Sequence, residues 1–295
     1  GLSAALWLLA ELARGDISTG FPWVAAGYAQ VDAPLARLAP WIGVYGIGFV
    51  AAVLAGWVAF AWTAGPRRFA VAAVGTALVL SALAFAPAAV FTQPTGTLGL
   101  TLLQGNIPQE EKFASEHQAA ALEWHVQQLL QARTRLVVAP ETALPFFPQQ
   151  LPPGFWDALK QRFAEGDSYV LFGMPLGDET AGYTNSVVGI APGGAEYRYD
   201  KYHLVPFGEF IPTGFRWFTQ LMNIPLGDFD RGALGAPAFA VDGQRVAPNI
   251  CYEDLFGEEI AAGFTEAARA PTILVNLSNI GWFGDTIAVA QHLNI

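Results

Sequence analysis

Between Arg37 and Arg67 the chain carries no charged residue. Residues 41–64 alone make 24 consecutive uncharged positions, about 36 Å as an α-helix at ~1.5 Å per residue. The hydrocarbon core of a bilayer is about 30 Å thick, so this stretch is long enough to span it with some tilt. Trp41, Tyr45, Trp57 and Trp62 fall towards its ends, where interfacial aromatics collect. A second candidate span, 69–91, follows directly, with Pro87 near its far end. An apolar helix over 2–14 precedes both and is too short to cross. Buried helices of a large soluble protein are the other reading, but two long chargeless runs in succession are rare in soluble folds.

Charge divides the chain in the same place. Residues 1–97 hold seven charged side chains and sum to +1, whereas 98–295 hold 22 acids and 11 bases and sum to −11. Over the whole chain 14% of residues are charged and mean hydropathy is +0.35, against ~25% charged in an average soluble domain. This excludes disorder, whose mark is low hydrophobicity. A net charge of −10 argues against nucleic acid as a partner, because phosphate binding needs clustered Lys and Arg. One cysteine excludes a disulfide framework. The expected organisation is a membrane domain over 1–97 and a water-facing catalytic domain over 98–295. Arg67 and Arg68 lie between the two spans, and the positive-inside rule puts that turn in the cytoplasm. Everything after Thr92 then faces the opposite side, the periplasm of a Gram-negative cell, together with a Gly/Pro-punctuated outer loop over 15–40. The chain begins without a basic leader and stops inside a helix-like run, so it reads as a piece of a longer protein.

From residue 98 short β-like runs alternate with helix-like ones. Strands are expected at 98–104, 136–139, 169–172, 186–190, 196–199, 239–241, 245–250 and 273–276. Helices are expected at 114–132, 155–164, 257–268 and from about 285. Pro192-Gly193-Gly194 and Asp242-Gly243 are hairpin turns. Such alternation gives a layered α/β domain.

Four residues in this half carry chemistry. Cys251 follows the 245–250 strand and precedes Tyr252-Glu253-Asp254 at an expected helix start. It reads either as a nucleophile whose thiolate a helix N-terminus stabilises or as a small buried hydrophobe. Glu141 directly follows the 136–139 strand and Pro140, at a strand end where α/β folds place reactive groups; the alternative is a loop or capping carboxylate. Lys201 follows the 196–199 strand and reads as a solvated lysine or, given Tyr199 and Tyr202, a partly buried one. Glu209 stands among aromatics in Pro206-Phe207-Gly208-Glu209-Phe210. The four histidines have no metal-ligand spacing, and there is no P-loop and no G-x-S-x-G elbow.

Glu141, Lys201 and Cys251, in that order and those contexts, resemble the nitrilase-like carbon–nitrogen hydrolase superfamily. Five further segments are similar to its membrane-bound branch, the apolipoprotein N-acyltransferase family: Gln104-Gly105-Asn106-Ile107-Pro108-Gln109, Pro140 to Pro145, Tyr199 to Pro212, Ile250-Cys251-Tyr252-Glu253 and Asn276 to Asp285. The Thr19-Gly20-Phe21-Pro22-Trp23 loop and the spans around it are similar to that family's membrane domain. The resemblance implies an αββα sandwich, incomplete here at its C-terminal end, preceded by transmembrane helices. It implies a multi-pass enzyme of the bacterial inner membrane that moves an acyl chain from a phospholipid donor to the N-terminal amine of an apolipoprotein acceptor. A Cys thioester intermediate is implied, with neither metal nor cofactor. Carried over by position, Cys251 is the nucleophile, Glu141 the general base and Lys201 the third member of the triad; Glu209, Tyr252 and Glu253 support the site. Phe113, Phe146, Phe207 and Trp282 are expected substrate or lid contacts, Phe113 standing where the family often has Trp. The other enzymatic reading is a membrane-tethered amidase or nitrilase-type hydrolase with the same triad.

Overall fold

The computed structural model describes residues 1–87, 89–106, 115–178, 180–212, 214 and 228–295, without the side chains of 115–118 and Trp282. Two compact units form, one of Gly1–Thr95 with Ala290–Ile295 and one of Gly96–Val289. The last six residues therefore group with the first unit, not with the expected 98–295 domain.

The first unit is helical. Helix α1 is Leu2–Asp16, α2 is Ala39–Thr63 and α3 is Pro66–Phe85. Short 3-10 turns at Pro22–Val24, Ala26–Gln30 and Pro34–Leu38 fill the loop between α1 and α2. Helix α2 is broken at Gly43, whose φ of +60° suits a residue without Cβ. The uninterrupted helix after it, 44–63, is about 30 Å long at ~1.5 Å per residue, the thickness of a bilayer core. Two helices of this unit, Pro34–Thr63 and Pro66–Phe85, are long and apolar enough to cross a membrane. The second stops six residues short of the expected 91. Ala86 is extended, with ψ at 141°, because Pro87 crowds the helical conformation of the residue before it.

The second unit holds two sheets. Strands β1 (Leu100–Leu102), β2 (Leu136–Val138), β3 (Tyr169–Asp178), β4 (Gly182–Ile190) and β5 (Glu196–Asp200) pair in that order. The first three are parallel, and β3, β4 and β5 are antiparallel. The second sheet is β6 (Phe239–Val241), β7 (Gln244–Ile250) and β8 (Ile273–Leu277), with β7 and β8 parallel. Helices α4 (Ser115–Gln131) and α5 (Phe155–Ala164) alternate with the first strands; α6 is Gly257–Ala261 and α7 is Ala288–Leu293.

Period-two alternation distributes the strand residues between two cores. Val137, Val170, Phe172, Met174 and Val188 pack with Leu129 of α4 and with Leu159 and Phe163 of α5. The intervening Leu136, Val138, Leu171 and Val187 pack against Phe239, Val241, Val246, Ile250 and Leu277 of the second sheet. The layers are thus helix, sheet and sheet, an α/β sandwich of the expected kind. Beyond the second sheet the described elements are short, and Leu274 of β8 stays half exposed.

The expected strands at 169–172 and 186–190 are longer, forming one hairpin whose register runs from Val170 opposite Ile190 to Asp178 opposite Gly182. Gly173, Pro175 and Gly177 read as breakers, but antiparallel pairing carries the strand through them.

Candidate active site

Each candidate reactive residue stands at the C-terminal end of a strand. Glu141 lies three residues past β2, Lys201 directly follows β5, and Cys251 directly follows β7. The turn carrying Glu141 presses onto β3 at Gly173, where a Cβ would stand 2.7 Å from Glu141 Cα and 2.8 Å from the Pro140 carbonyl oxygen. Two hydrogen bonds, Gly173 N–H to Pro140 O and Leu144 N–H to Gly173 O, both 3.1 Å, clamp this turn to the sheet. Only glycine allows that approach.

Glu141 and Lys201 are both buried, at 7% and 1% exposure. The Lys201 ammonium lies 2.9 Å from the Glu209 carboxylate and 3.6 Å from Glu141 Oε1. Glu209 Oε2 also accepts the Val205 N–H at 2.8 Å, which folds the loop after Lys201 back over it. Glu141 Oε2 accepts the backbone N–H of Asn279 at 3.0 Å. That bond ties a residue just past β8 in the second sheet to one just past β2 in the first. Burial works against the Lys201 charge, but Glu141, then Glu209 and Cys251, hold its ammonium above the ordinary lysine range.

Cys251 has φ +52°, and Thr142 beside Glu141 and Phe207 beside Glu209 have +51° and +61°. Left-handed backbone at a non-glycine residue costs about 1–3 kcal/mol and collects at functional sites. The expected helix N-terminus at Cys251 is a single 3-10 turn, Cys251–Leu255, and α6 begins only at Gly257. No long helix dipole therefore stabilises a thiolate there. Burial, followed by the Glu141 charge, pushes the Cys251 thiol up to about 12, against the downward pull of Lys201 and the Ser278 hydroxyl. The sulfur rests as a neutral thiol with a carboxylate and an ammonium acting on it.

Glu253 is 4% exposed. It turns away from the sulfur and accepts hydrogen bonds from three backbone N–H groups, Ile250 at 2.6 Å, Tyr202 at 2.7 Å and His203 at 3.1 Å, and from the Tyr199 hydroxyl at 2.8 Å. This carboxylate staples the Cys251 turn to the Lys201 loop. Burial, the leading influence on it, holds Glu253 above the usual glutamate range. Tyr252 packs edge-on against Phe256 and beside the His203 ring, and burial pushes its phenol up to about 12.

Of the four expected lid or substrate contacts, three fall in separate described segments. Phe146 packs partly buried against the core between the first sheet and its helices. Phe207 closes a tight loop, its N–H donating to the Phe210 carbonyl oxygen at 2.9 Å. Trp282 lies in the Ile280–Phe283 turn. Phe113 lies outside the described residues.

Asn185 of β4 was not among the sequence candidates. Its Nδ2 donates to Glu141 Oε1 and to Glu209 Oε1, each at 2.8 Å, and its carbonyl oxygen accepts the Lys201 N–H at 2.8 Å. The signal for it was an Asn in an otherwise strand-forming run, Tyr183 to Val188, since Asn is depleted in strands and a buried amide needs partners.

Residues 99–295 match the family described as carbon-nitrogen hydrolase. This chain belongs to the carbon-nitrogen hydrolase family. Residues 2–57 match a second family, described as the apolipoprotein N-acyltransferase N-terminal domain. Among relatives of this chain, an apolipoprotein N-acyltransferase of Verminephrobacter eiseniae is 53% identical over 311 residues, covering 100% of this chain and 57% of that protein. One of Ralstonia nicotianae is 48% identical over 299 residues, covering 99% and 56%. The chain thus spans a little over half the length of these relatives. Among solved structures, a CN-hydrolase superfamily protein of Xanthomonas campestris aligns at TM-score 0.42 and 19% identity, covering 62% of this chain and 64% of that one.

Proposed function

We propose that this chain carries the acyl-transfer site of an apolipoprotein N-acyltransferase. Its donor is a phospholipid and its acceptor the N-terminal amine of a diacylglyceryl-cysteine lipoprotein. The observation that carries the reading is the buried group Glu141, Lys201 and Glu209 acting on the Cys251 thiol. The names of the relatives support an apolipoprotein acceptor and acyl transfer to nitrogen.

Two steps through a thioester are easier than one direct attack. Because Cys251 rests as a thiol, its proton passes to Glu141 as the sulfur attacks the ester carbonyl of the phospholipid. Lys201 stabilises the oxyanion, a role in which a lost donor costs about 3 kcal/mol. The tetrahedral intermediate expels the lysophospholipid oxygen, which takes the proton back from Glu141. The lipoprotein amine then attacks the thioester and gives its proton to Glu141. The sulfur leaves, recovers that proton, and the amide is complete. The apolar helices Pro34–Thr63 and Pro66–Phe85 hold the site at the bilayer of the inner membrane, with the catalytic unit on the periplasmic side. Both acyl-bearing substrates then arrive laterally. Phe146, Phe207 and Trp282 serve as apolar contacts for them, and Tyr252 and Glu253 support the nucleophile turn.

Intact-mass spectrometry in detergent tests this. Incubation with phosphatidylethanolamine and no amine should add one acyl chain, removable by neutral hydroxylamine and absent in Cys251→Ala. Folded protein that forms no adduct, yet releases ammonia from small amides, would make the site that of a membrane-tethered hydrolase.

A further inference from the structure

The pair Glu141 and Glu209 presents an electrostatic problem. Two carboxylates lie within 3.6 Å of one ammonium, in a site nearly closed to water. Like charges so placed push one another towards protonation, and a protonated Glu141 takes no proton from Cys251. The lysine answers part of this. It sits 2.9 Å from Glu209 but 3.6 Å from Glu141, so its charge favours the wrong carboxylate for base catalysis.

The carboxamide of Asn185 supplies the rest. Its Nδ2 has two N–H bonds, and they go one to each carboxylate, 2.8 Å from Glu141 Oε1 and 2.8 Å from Glu209 Oε1. Only the NH2 end of the amide fits there, since the oxygen has nothing to donate. Each bond is charge-assisted, and such bonds favour the ionised acceptor. Asn185 is itself 7% exposed and held on β4 opposite Pro175 of β3, just before the β4–β5 register begins at Ser186, with its backbone carbonyl oxygen accepting the Lys201 backbone N–H. We infer that Asn185 is a positioning residue, spacing Glu141 and Glu209 around Lys201 and keeping Glu141 ionised and aimed as the base. The inference rests on the reading of Glu141 as that base. Among the described residues, the titratable groups acting on this cluster from the packed elements include Lys201 after β5, Glu209 in the following loop, Cys251 after β7 and, through Lys201, Glu253 in the turn after Cys251.

The sign follows from the donors. Removing a hydrogen bond to an ionised carboxylate raises its affinity for a proton, so the acid limb of acylation moves to higher pH. A bond to a charged group corresponds to a shift of roughly one to two pH units. The test is the burst of p-nitrophenol from p-nitrophenyl butyrate between pH 4 and 9, with thermal unfolding alongside. Asn185→Leu keeps the volume and removes both donors; its acid limb should move up by about one to two units, and its alkaline plateau should fall as Glu141 loses its aim. Asn185→Ser keeps one donor and should move by less. If the Leu variant shows no cooperative unfolding, the Ser variant decides by itself. An acid limb unmoved in a folded variant, with the wild-type burst intact, overturns the role of Asn185 alone. A wild type that gives no burst dependent on Cys251 and Glu141 overturns the base reading, and this inference with it.

Discussion

Two buried glutamates flank the Cys251 turn, and they are held in opposite ways. Glu253 is saturated by the chain itself, with backbone N–H groups from Ile250, Tyr202 and His203 and the Tyr199 hydroxyl. Among the described residues, Glu141 accepts from the backbone N–H of Asn279 and the amide of Asn185, and it lies 3.6 Å from an ammonium that Glu209 engages more tightly. Glu253 thereby joins the Cys251 turn to the Lys201 loop. Protonating Glu141 takes the Glu141–Glu209–Lys201 group from a net charge of −1 to zero, a change the site tolerates during a reaction. A carboxylate bonded mainly to main chain builds the site, whereas one sharing a cation with a second carboxylate is free to exchange a proton.

The largest expected effect is on Glu141. Glu141→Gln keeps the volume and one acceptor but has no basicity, so thioester formation should fall by about 10²- to 10⁴-fold. One donor, from Asn185 or Asn279, then faces the Gln NH2, so stability should fall by about 1–3 kcal/mol, far less than the loss in rate. If the rate falls no more than the stability and the residual activity keeps its pH profile, Glu141 belongs with Glu253 as a structural carboxylate. Lys201→Met comes next. It strands two buried carboxylates, and breaking a buried pair from one side costs about 3–5 kcal/mol of stability, read as a lowered urea midpoint in detergent. At lower pH, where the carboxylates protonate, that deficit should shrink.

Glu253→Gln separates the two glutamates by sign. A Gln amide cannot accept with its nitrogen, so one of the donors around Glu253 faces another donor, and stability at neutral pH should drop by about 1–3 kcal/mol. Burial holds the folded-state proton affinity of Glu253 above its unfolded value. Its contribution is therefore full below the ordinary glutamate range, about 4.3, and declines as pH rises through the raised folded value. The wild-type advantage over Glu253→Gln should accordingly grow on acidification, measured by thermal unfolding from pH 8 to pH 5. An advantage that shrinks on acidification would mean that the donors outweigh burial.

Much of this frame was legible because it is written in local pattern. The uncharged run 38–66 marked the apolar helices, and the strand ends before Glu141, Lys201 and Cys251 marked the site. What was not legible depends on contacts distant in the chain. Asn185 is 44 residues from Glu141, and Asn279 donates to Glu141 across 138 residues; neither pairing has a local period. The β3–β4 hairpin was hidden by Gly173, Pro175 and Gly177, which pairing overrides. The acids after Cys251 stand at an expected helix start, yet Glu253 is turned into backbone donors, a direction no sequence spacing gives.

The smallest expected effect is the most discriminating. Among the described residues, the Tyr199 hydroxyl hydrogen-bonds Glu253 and no member of the Glu141–Lys201–Glu209 group. Burial, then the Glu253 charge, raises its phenol well above the tyrosine range, so it stays a neutral donor throughout the working pH range. Tyr199→Phe deletes that one donor and leaves the ring, while the three backbone N–H groups still hold Glu253. With three backbone donors still in place, the expected loss is about 0.5–1.5 kcal/mol, visible as a modest drop in the urea midpoint. Because the joint between the Cys251 turn and the Lys201 loop is weakened but not cut, the rate of thioester formation should fall only a few-fold, and its acid limb should not move. A shifted acid limb in Tyr199→Phe would show that the two glutamates are electrostatically one site, and the contrast between the carboxylate that builds and the carboxylate that reacts would fail at its most exposed point.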